Sequence, residues 1–433
     1  MQGSVPSWFG PRRLEPVLRE VVVGLRPPMT GPDTTRTQPG QNGWRYDSPE
    51  NRILVEAVSY QTAATHHLAW QDLTLRLIEP NVFLDPCFVL PAVQHFPLAR
   101  RPAFLLVWDE NNGERDRLIG LCPVVLPRYR GFGRFASGWM HNQSALGTPL
   151  IDRARAIETL DLMLDWLQRE NRHITGLMFK RLRQDGPVMA LLRNRAVLTG
   201  RDLRLFEQHE RAMLSSGPDG AHAMQHSFSA KKTRELRRQR RRLESQGRLQ
   251  LVSATTPQEV RLAGEHFLAL ESRGWKGRRG TALLANASLT IFTRTMTRLL
   301  AREGKCRIDT LLLDGKPVAA GIVLQAGGYA YLWKIAYDES HAADSPGVQF
   351  ILDVSRLLVA DQHIIFTDSC AIPNHPMIGH VWRERLRVAD ALIASGIGAR
   401  RMFALGAALE TARCWLRARA KSAFYALTGR KAS

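Results

Sequence analysis

Asp338, Asp368, His341 and His375 are the side chains best placed to move a proton. Asp338 ends an aromatic-rich strand, Tyr329 to Tyr337, and Asp368 ends a short apolar one, Ile364 to Thr367. If both strands end at one rim of a sheet, either carboxylate can act as a base, directly or through water. The commoner role of an Asp at a strand end is to cap a turn. Between the two strands stand Ser345-Pro346-Gly347 and an apolar-periodic helix, Val348 to Ala360. Ser345 can cap that helix, Pro346 suits its first turn, and Gly347 lets backbone N–H groups approach a ligand. Unpaired first-turn amides beside a sheet make a place for a phosphate-bearing cofactor. The same tripeptide also reads as an ordinary N-capped helix. Cys370 could be a nucleophile, but no base partners it, and it reads equally as a small buried residue. His375 and His380 stand five apart, not at the spacing of a helical metal pair, so no metal is expected.

These residues need a framework. Cys306 to Leu313 runs into Asp314-Gly315, a tight hairpin signal. Pro317 to Gln325 follows and meets a second signal, Gly327-Gly328, before Tyr329. The expected order is therefore a three-strand meander, a helix and a returning strand. Upstream, Ala103 to Trp108 and Leu118 to Leu126 read as strands, Ala154 to Glu170 as an amphipathic helix, and Ile174 to Phe179 as a strand. Gly120 to Pro127, Ala154 to Glu170 and Ile174 to Phe179 loosely repeat Ala320 to Gln325, Val348 to Ala360 and Ile364 to Thr367, which is compatible with an old duplication. Further helices are expected from Pro257 to about Leu270 and from Ser288 to Glu303.

At 433 residues the chain is long for one core. We read a Pro-, Gly- and Arg-rich, mostly disordered tail over 1–52, folded regions over 53–200 and 201–396, and a basic segment over 397–433. No apolar run is long enough to span a bilayer. The five cysteines form no C-x-x-C pair, which points to a reduced, cytoplasmic compartment. The formal net charge of +20 favours an anionic partner, although arginine-rich composition alone would also produce it. The densest charge is Lys231 to Arg242, which includes Arg237 and Arg238. On a helix these charges wrap most of the circumference. One face could hold phosphates, an anionic substrate or RNA, or the whole could be solvated. The last segment sets Phe403, Trp415 and Phe424 among arginines. It reads either as a helix on an anionic membrane surface or as one packed on the body.

Taken together, several pieces resemble the acetyltransferase domain of the cellulose-biosynthesis CelD type, within the GNAT superfamily. They are Arg237-Arg238 with Leu243-Glu244 and Gly247, Leu313-Asp314-Gly315 with Pro317-Val318-Ala319-Ala320, Tyr337-Asp338, Ser345-Pro346-Gly347, and Asp368. The first half resembles the leading part of longer CelD-like chains through Trp70, Asn81, Phe83, Pro86, Ser144-Ala145, Gly147-Thr148-Pro149-Leu150 and Asp185-Gly186-Pro187. The glycine-rich signature usual in GNAT proteins is reduced here to the single Gly347.

The resemblance implies an α/β (α+β) fold of two tandem GNAT-like domains, as in FemAB-like proteins. Each would have a mixed, mostly antiparallel central sheet flanked by helices, with the first domain structural. It implies acetyl-CoA or another acyl-CoA as donor, held by Ser345, Gly347, Val348, Arg237 and Arg238. It implies catalysis by Asp338, Asp368 or His375. Trp275, Lys276, Tyr337 and Trp382 would contact the acceptor, an amine or hydroxyl on a sugar, an envelope precursor or a small metabolite. Polysaccharide biosynthesis follows from the same likeness, while the cysteines and the basic 397–433 segment suggest a cytoplasmic enzyme, peripheral on the inner membrane. FemAB-like proteins use aminoacyl-tRNA, so a tRNA partner is the alternative. A catalytically degenerate scaffold held at a membrane is the third reading.

Overall fold

The computed structural model describes residues 39–40, 43–47, 52–97, 100–111, 114–127, 134–170, 173–396 and 400–428. Fifteen strands among them join in one sheet. The first half contributes β1 (Pro39–Gly40), β2 (Gly43–Asp47), β3 (Arg52–Val58), β4 (Ala103–Asn111), β5 (Glu114–Val125), β6 (Arg134–Gly138), β7 (Leu150–Ile151) and β8 (Ile174–Arg183). The second contributes β9 (Leu203–Ser215), β10 (Leu249–Ala254), β11 (Cys306–Leu313), β12 (Lys316–Ala326), β13 (Tyr329–Tyr337), β14 (Phe366–Asp368) and β15 (Glu384–Ala394). The fold is mixed α/β, with a mostly antiparallel sheet flanked by helices. Its two parallel pairs are β6 with β8 and β13 with β14.

The two parallel pairs occupy equivalent places. In each half a three-strand meander (β4-β5-β6 or β11-β12-β13) feeds a helix, Ala156–Glu170 or Pro346–Ala360. Each helix then leads to a strand parallel to the last of the meander. The repeat expected from sequence is thus visible in topology. The closing strands are exchanged. β9, which follows the first half, pairs with β14, and β15, the last strand, pairs with β8. β9 and β15 then pair with each other and make the sheet continuous.

Local sequence explains the meander. Asp314 and Gly315 take φ of 47° and 76°, and Gly327 and Gly328 take 51° and 88°. Left-handed residues at both turn positions match the twist of a tight hairpin. The Pro257–Arg273 helix opens with a capping box between Thr256 and Glu259. The sheet separates three main apolar clusters. One lies between the halves and contains Trp70, Phe88, Phe267, Phe292 and Tyr331. The others fill the opposite faces, around Leu160 and Phe179 in the first half and Phe350 and Val354 in the second.

Part of the segment read as a tail, residues 39–40 and 43–47, is strand. The sequence also suggests a short element over Val17 to Leu25 and a turn at Asn111-Asn112-Gly113, and residues 17–25 and 112–113 lie outside the described residues. The basic end forms the Arg400–Thr428 helix. Its Phe403 and Ala407 pack on Met178, Leu392 and Ala394, while Leu409, Trp415 and Leu416 are exposed.

Candidate active site

β13 is paired to β12 along its length, but to β14 only at Tyr329, Ala330 and Tyr331. The reason lies in β14, whose other edge is tied to β9. Beyond Asp368 the chain follows β9: the Ser369 N–H donates to the Ala212 carbonyl at 3.1 Å, and Cys370 turns at φ 52°. The two parallel strands therefore part, and residues 332–337 present an edge with no ladder partner on the β14 side. A bulge falls in the same stretch. Ile322 pairs with Lys334 and Val323 with Leu332, so Trp333 is the extra residue. Its indole N–H donates to the Gln143 carbonyl at 2.8 Å, which ties β13 to the first half.

The free edge ends at the Pro346–Ala360 helix. A Cβ on Gly347 would lie 2.9 Å from Tyr337 Cδ1 and 3.3 Å from Met377 Sδ, so only glycine fits there without movement. Burial first, then the Glu339 charge, pushes the Tyr337 phenol up. Ser345 does not cap this helix through its hydroxyl, unlike the expectation from sequence, and takes φ 52°, ψ 52°. Its carbonyl instead accepts the Val348 and Gln349 amides at 2.9 and 3.1 Å. Pro346 has no N–H, which leaves Gly347 as the first-turn amide with no carbonyl of that turn to meet.

The basic Ala230–Gln246 helix flanks this corner. Arg242 pairs with Asp344 at 2.5 Å, Arg240 with Asp353 at 2.7 Å, and Gln349 donates to the Leu236 carbonyl at 2.9 Å. Arg238 lies one turn from Arg242 on the same flank, and Arg237 points to solvent with Arg234 and Arg241.

On the other side of β13 stands the Trp275–Arg278 turn. Glu339, just past β13, accepts the Trp275 amide at 2.6 Å and pairs with Arg278 at 2.5 Å. The turn is thereby fixed at the rim. Lys276 pairs with buried Glu271 at 2.6 Å, and the other Glu271 oxygen accepts the Leu283 amide at 2.8 Å. Lys334 is half-buried nearby, with its ammonium 5.3 Å from the Trp333 ring centroid. Burial, then the Lys276 charge, pushes its pKa down to about 8, against the pull of Glu271.

The proton-transfer candidates are placed differently from one another. His375 Nδ1 accepts the Met377 amide at 3.2 Å, so a neutral ring carries its proton on Nε2. Burial and Lys276 lower its pKa. It is therefore a hydrogen-bond donor in this geometry rather than a base. Asp338 caps the turn after β13, accepting from Ser340 N and Oγ at 2.9 and 2.7 Å, with His341 at 3.5 Å. Burial pushes its pKa up, but these partners outweigh it and hold the carboxyl below its usual range. Asp368 is fully buried, with one oxygen paired to Arg211 at 2.5 Å and the other accepting the Cys370 amide at 2.9 Å. Both oxygens are occupied, so it ties β14 to β9 and is not open to substrate. Burial raises the Cys370 thiol well above its usual range, which keeps it protonated. Trp382 is also away from the rim. Its buried ring packs under the Pro346–Ala360 helix and its N–H donates to Ser355 Oγ at 2.8 Å.

Tyr337, Gly347, Val348, Trp275, Lys276 and His375 thus lie around the end of β13, while Asp368 and Trp382 are in the interior. Sequence reasoning missed Lys334 and Arg211. A single cation inside the aromatic strand Tyr-Ala-Tyr-Leu-Trp-Lys-Ile-Ala-Tyr was the available signal for Lys334. Among the described residues, no group of histidines, cysteines and acids could hold a metal ion.

Residues 230–366 match the family described as Acetyltransferase (GNAT) domain. No curated protein sequence matches the chain. Several solved structures are similar in fold. FemX is 9% identical over 76% of this chain and 95% of its own, with a TM-score of 0.46. The C-terminal domain of a putative lysylphosphatidylglycerol synthetase from Agrobacterium fabrum is 12% identical over 79% and 94%, with a TM-score of 0.47. A tandem GNAT protein from the clavulanic acid biosynthesis pathway is 14% identical over 79% and 99%, with a TM-score of 0.37. The second half carries a GNAT-type acetyltransferase domain, and the protein is an acyltransferase.

Proposed function

We propose that the protein transfers an acyl group from acyl-coenzyme A to an amine or hydroxyl of a sugar, envelope precursor or small metabolite, in the manner of CelD-type enzymes. The observation that carries this reading is the parting of β13 from β14 beyond Tyr331. An extended ligand with amide groups can hydrogen-bond to an open strand edge as an added strand would. The pantetheine arm of coenzyme A is such a ligand. Residues 332–337 supply the edge, and the start of the Pro346–Ala360 helix lies at its end, where the Gly347 amide and the positive pole of the helix favour a diphosphate. Val348, on the same turn, and Arg238, on the flank of the basic helix, complete this side, with Arg237 adding field from solvent.

In the reaction the acceptor's nitrogen or oxygen attacks the thioester carbonyl, the new bond to carbon forms and the carbon–sulfur bond breaks. The acceptor's proton leaves through water or Asp338 at the rim, and the sulfur departs as thiolate. The Nε2–H of His375 is suited to meet negative charge developing on oxygen. Trp275, Lys276 and Tyr337 wall the acceptor side.

Calorimetric titration with acetyl-CoA and then longer acyl-CoAs tests the donor. Saturable binding of at least one supports it, and no binding of any discards it. The exposed cations Lys231, Lys232, Arg234, Arg237, Arg238 and Arg241 favour a second reading, an aminoacyl-tRNA donor on the same fold. That reading requires tRNA binding that weakens steeply with added salt. The exposed, arginine-rich part of the Arg400–Thr428 helix supports attachment to an anionic membrane surface. Flotation with anionic liposomes should be lost when residues 397–433 are removed.

A further inference from the structure

Lys334 stands at the β13 bulge, on the edge left open beyond β14. Among the described residues its ammonium has no carboxylate partner, only the face of Trp333. The groups around it do not balance its charge. From the Trp275–Arg278 turn comes Lys276, a second cation. From the Pro257–Arg273 helix comes Glu271, whose two oxygens are already taken by Lys276 and by the Leu283 amide. From the segment after β14 come Cys370, kept protonated by burial, and His375, whose Nε2–H is left to donate. From the first half comes His141, stacked among Phe88, Phe96, Trp139 and Phe292. Its Nδ1 accepts the Gln143 amide at 3.1 Å, and its Nε2 is buried with no hydrogen-bond partner. Lys334 and Lys276 thus stand within each other's field, with two imidazole rings near one or the other and a single carboxylate, Glu271, already paired to Lys276.

A half-buried, unpaired ammonium beside another cation costs stability unless an anion joins them. We infer that the open edge of β13 is built for an acceptor that carries an anionic group, a carboxylate or a phosphate, seated by Lys334 and Lys276. This deepens the acyltransferase reading and rests on it for the word acceptor, while the anion site itself stands on the geometry above. The strength of the unmet demand is visible in Lys334, which burial and Lys276 hold near a pKa of about 8. An anion at this place would return it toward the ordinary lysine range.

The test is NMR of the full chain carrying 13C-labelled lysine, with the Lys334 signal identified by its loss in Lys334→Met. The signal is titrated with pH in chloride, in inorganic phosphate, in malonate and with acetyl-CoA, at matched ionic strength. The account expects the Lys334 midpoint to rise by on the order of one unit in phosphate or malonate relative to chloride, with exposed Lys316 unmoved. Which of the two anions acts more strongly separates a phosphate from a carboxylate. A midpoint unmoved by both overturns the inference. A midpoint moved only by acetyl-CoA also overturns it, by assigning the charge to the donor. Calorimetry with acetyl-CoA on the same sample keeps the two readings apart. If acetyl-CoA does not bind while phosphate or malonate still moves Lys334, the donor assignment falls and the anion site stands.

Discussion

The indole of Trp382 is fully buried, and its N–H donates to Ser355 Oγ. Its role is packing. Trp382→Ala should cost about 3–5 kcal/mol of stability in urea denaturation. Trp382→Phe, which keeps most of the ring volume, should cost about 1 kcal/mol and leave donor binding unchanged. Loss of acyl transfer with donor binding intact in a stable Trp382→Phe protein would return that residue to the acceptor wall. Lys334 poses the opposite case, a charge kept where an apolar side chain would be more stable. Its folded-state pKa is depressed to about 8, so its favourable contribution is complete above the ordinary lysine pKa and is lost as pH falls through about 8. At neutral pH the charged form is a burden. Lys334→Met should therefore be more stable than the natural protein near pH 7, by on the order of 1 kcal/mol, with the gap closing as pH rises past about 10. Denaturant melts at the two pH values check the sign. A less stable variant at neutral pH would mean that Lys334 is already paired.

Among the elements, the meander and its following helix were legible because their signals are local. Two left-handed turns, at Asp314-Gly315 and Gly327-Gly328, fix the hairpins, and the apolar period fixes the helix that ends at Ala360. β9 and β15 were not legible. Leu203–Ser215 carries charged residues along much of its length, and Glu384–Ala394 opens on Glu-Arg-Leu-Arg and is interrupted by Asp390, so neither reads as an inner strand from end to end. Their place is set by partners far away in sequence. The same limit hid the site. Nothing near Asp368 in sequence announces Arg211, 157 residues earlier, and only the pairing of β14 with β9 brings them together. At Gly347 local and distant information meet, since the glycine is required by Tyr337 across the corner. Gly347→Val should displace the Tyr337 ring and weaken acetyl-CoA binding at least tenfold, roughly 1.4 kcal/mol, with the fold retained by circular dichroism. Unchanged affinity in that variant would move the donor away from this helix.

For the whole molecule, the exchange of β9 and β15 means that neither half owns all the strands beside it. We propose that the halves stabilise each other, and thermal unfolding should show one cooperative transition. Two well-separated transitions would show that residues 53–200 and 201–396 are independent. The same exchange draws β14 toward β9 and so opens the edge of β13 on which the acyltransferase account rests. Hydrogen–deuterium exchange across the chain, with and without saturating acetyl-CoA, examines that edge directly. The account predicts slower exchange at the amides of residues 332–337 and at Gly347, with little change in the first half. Binding of acetyl-CoA that leaves those amides exchanging at their free rate would contradict it.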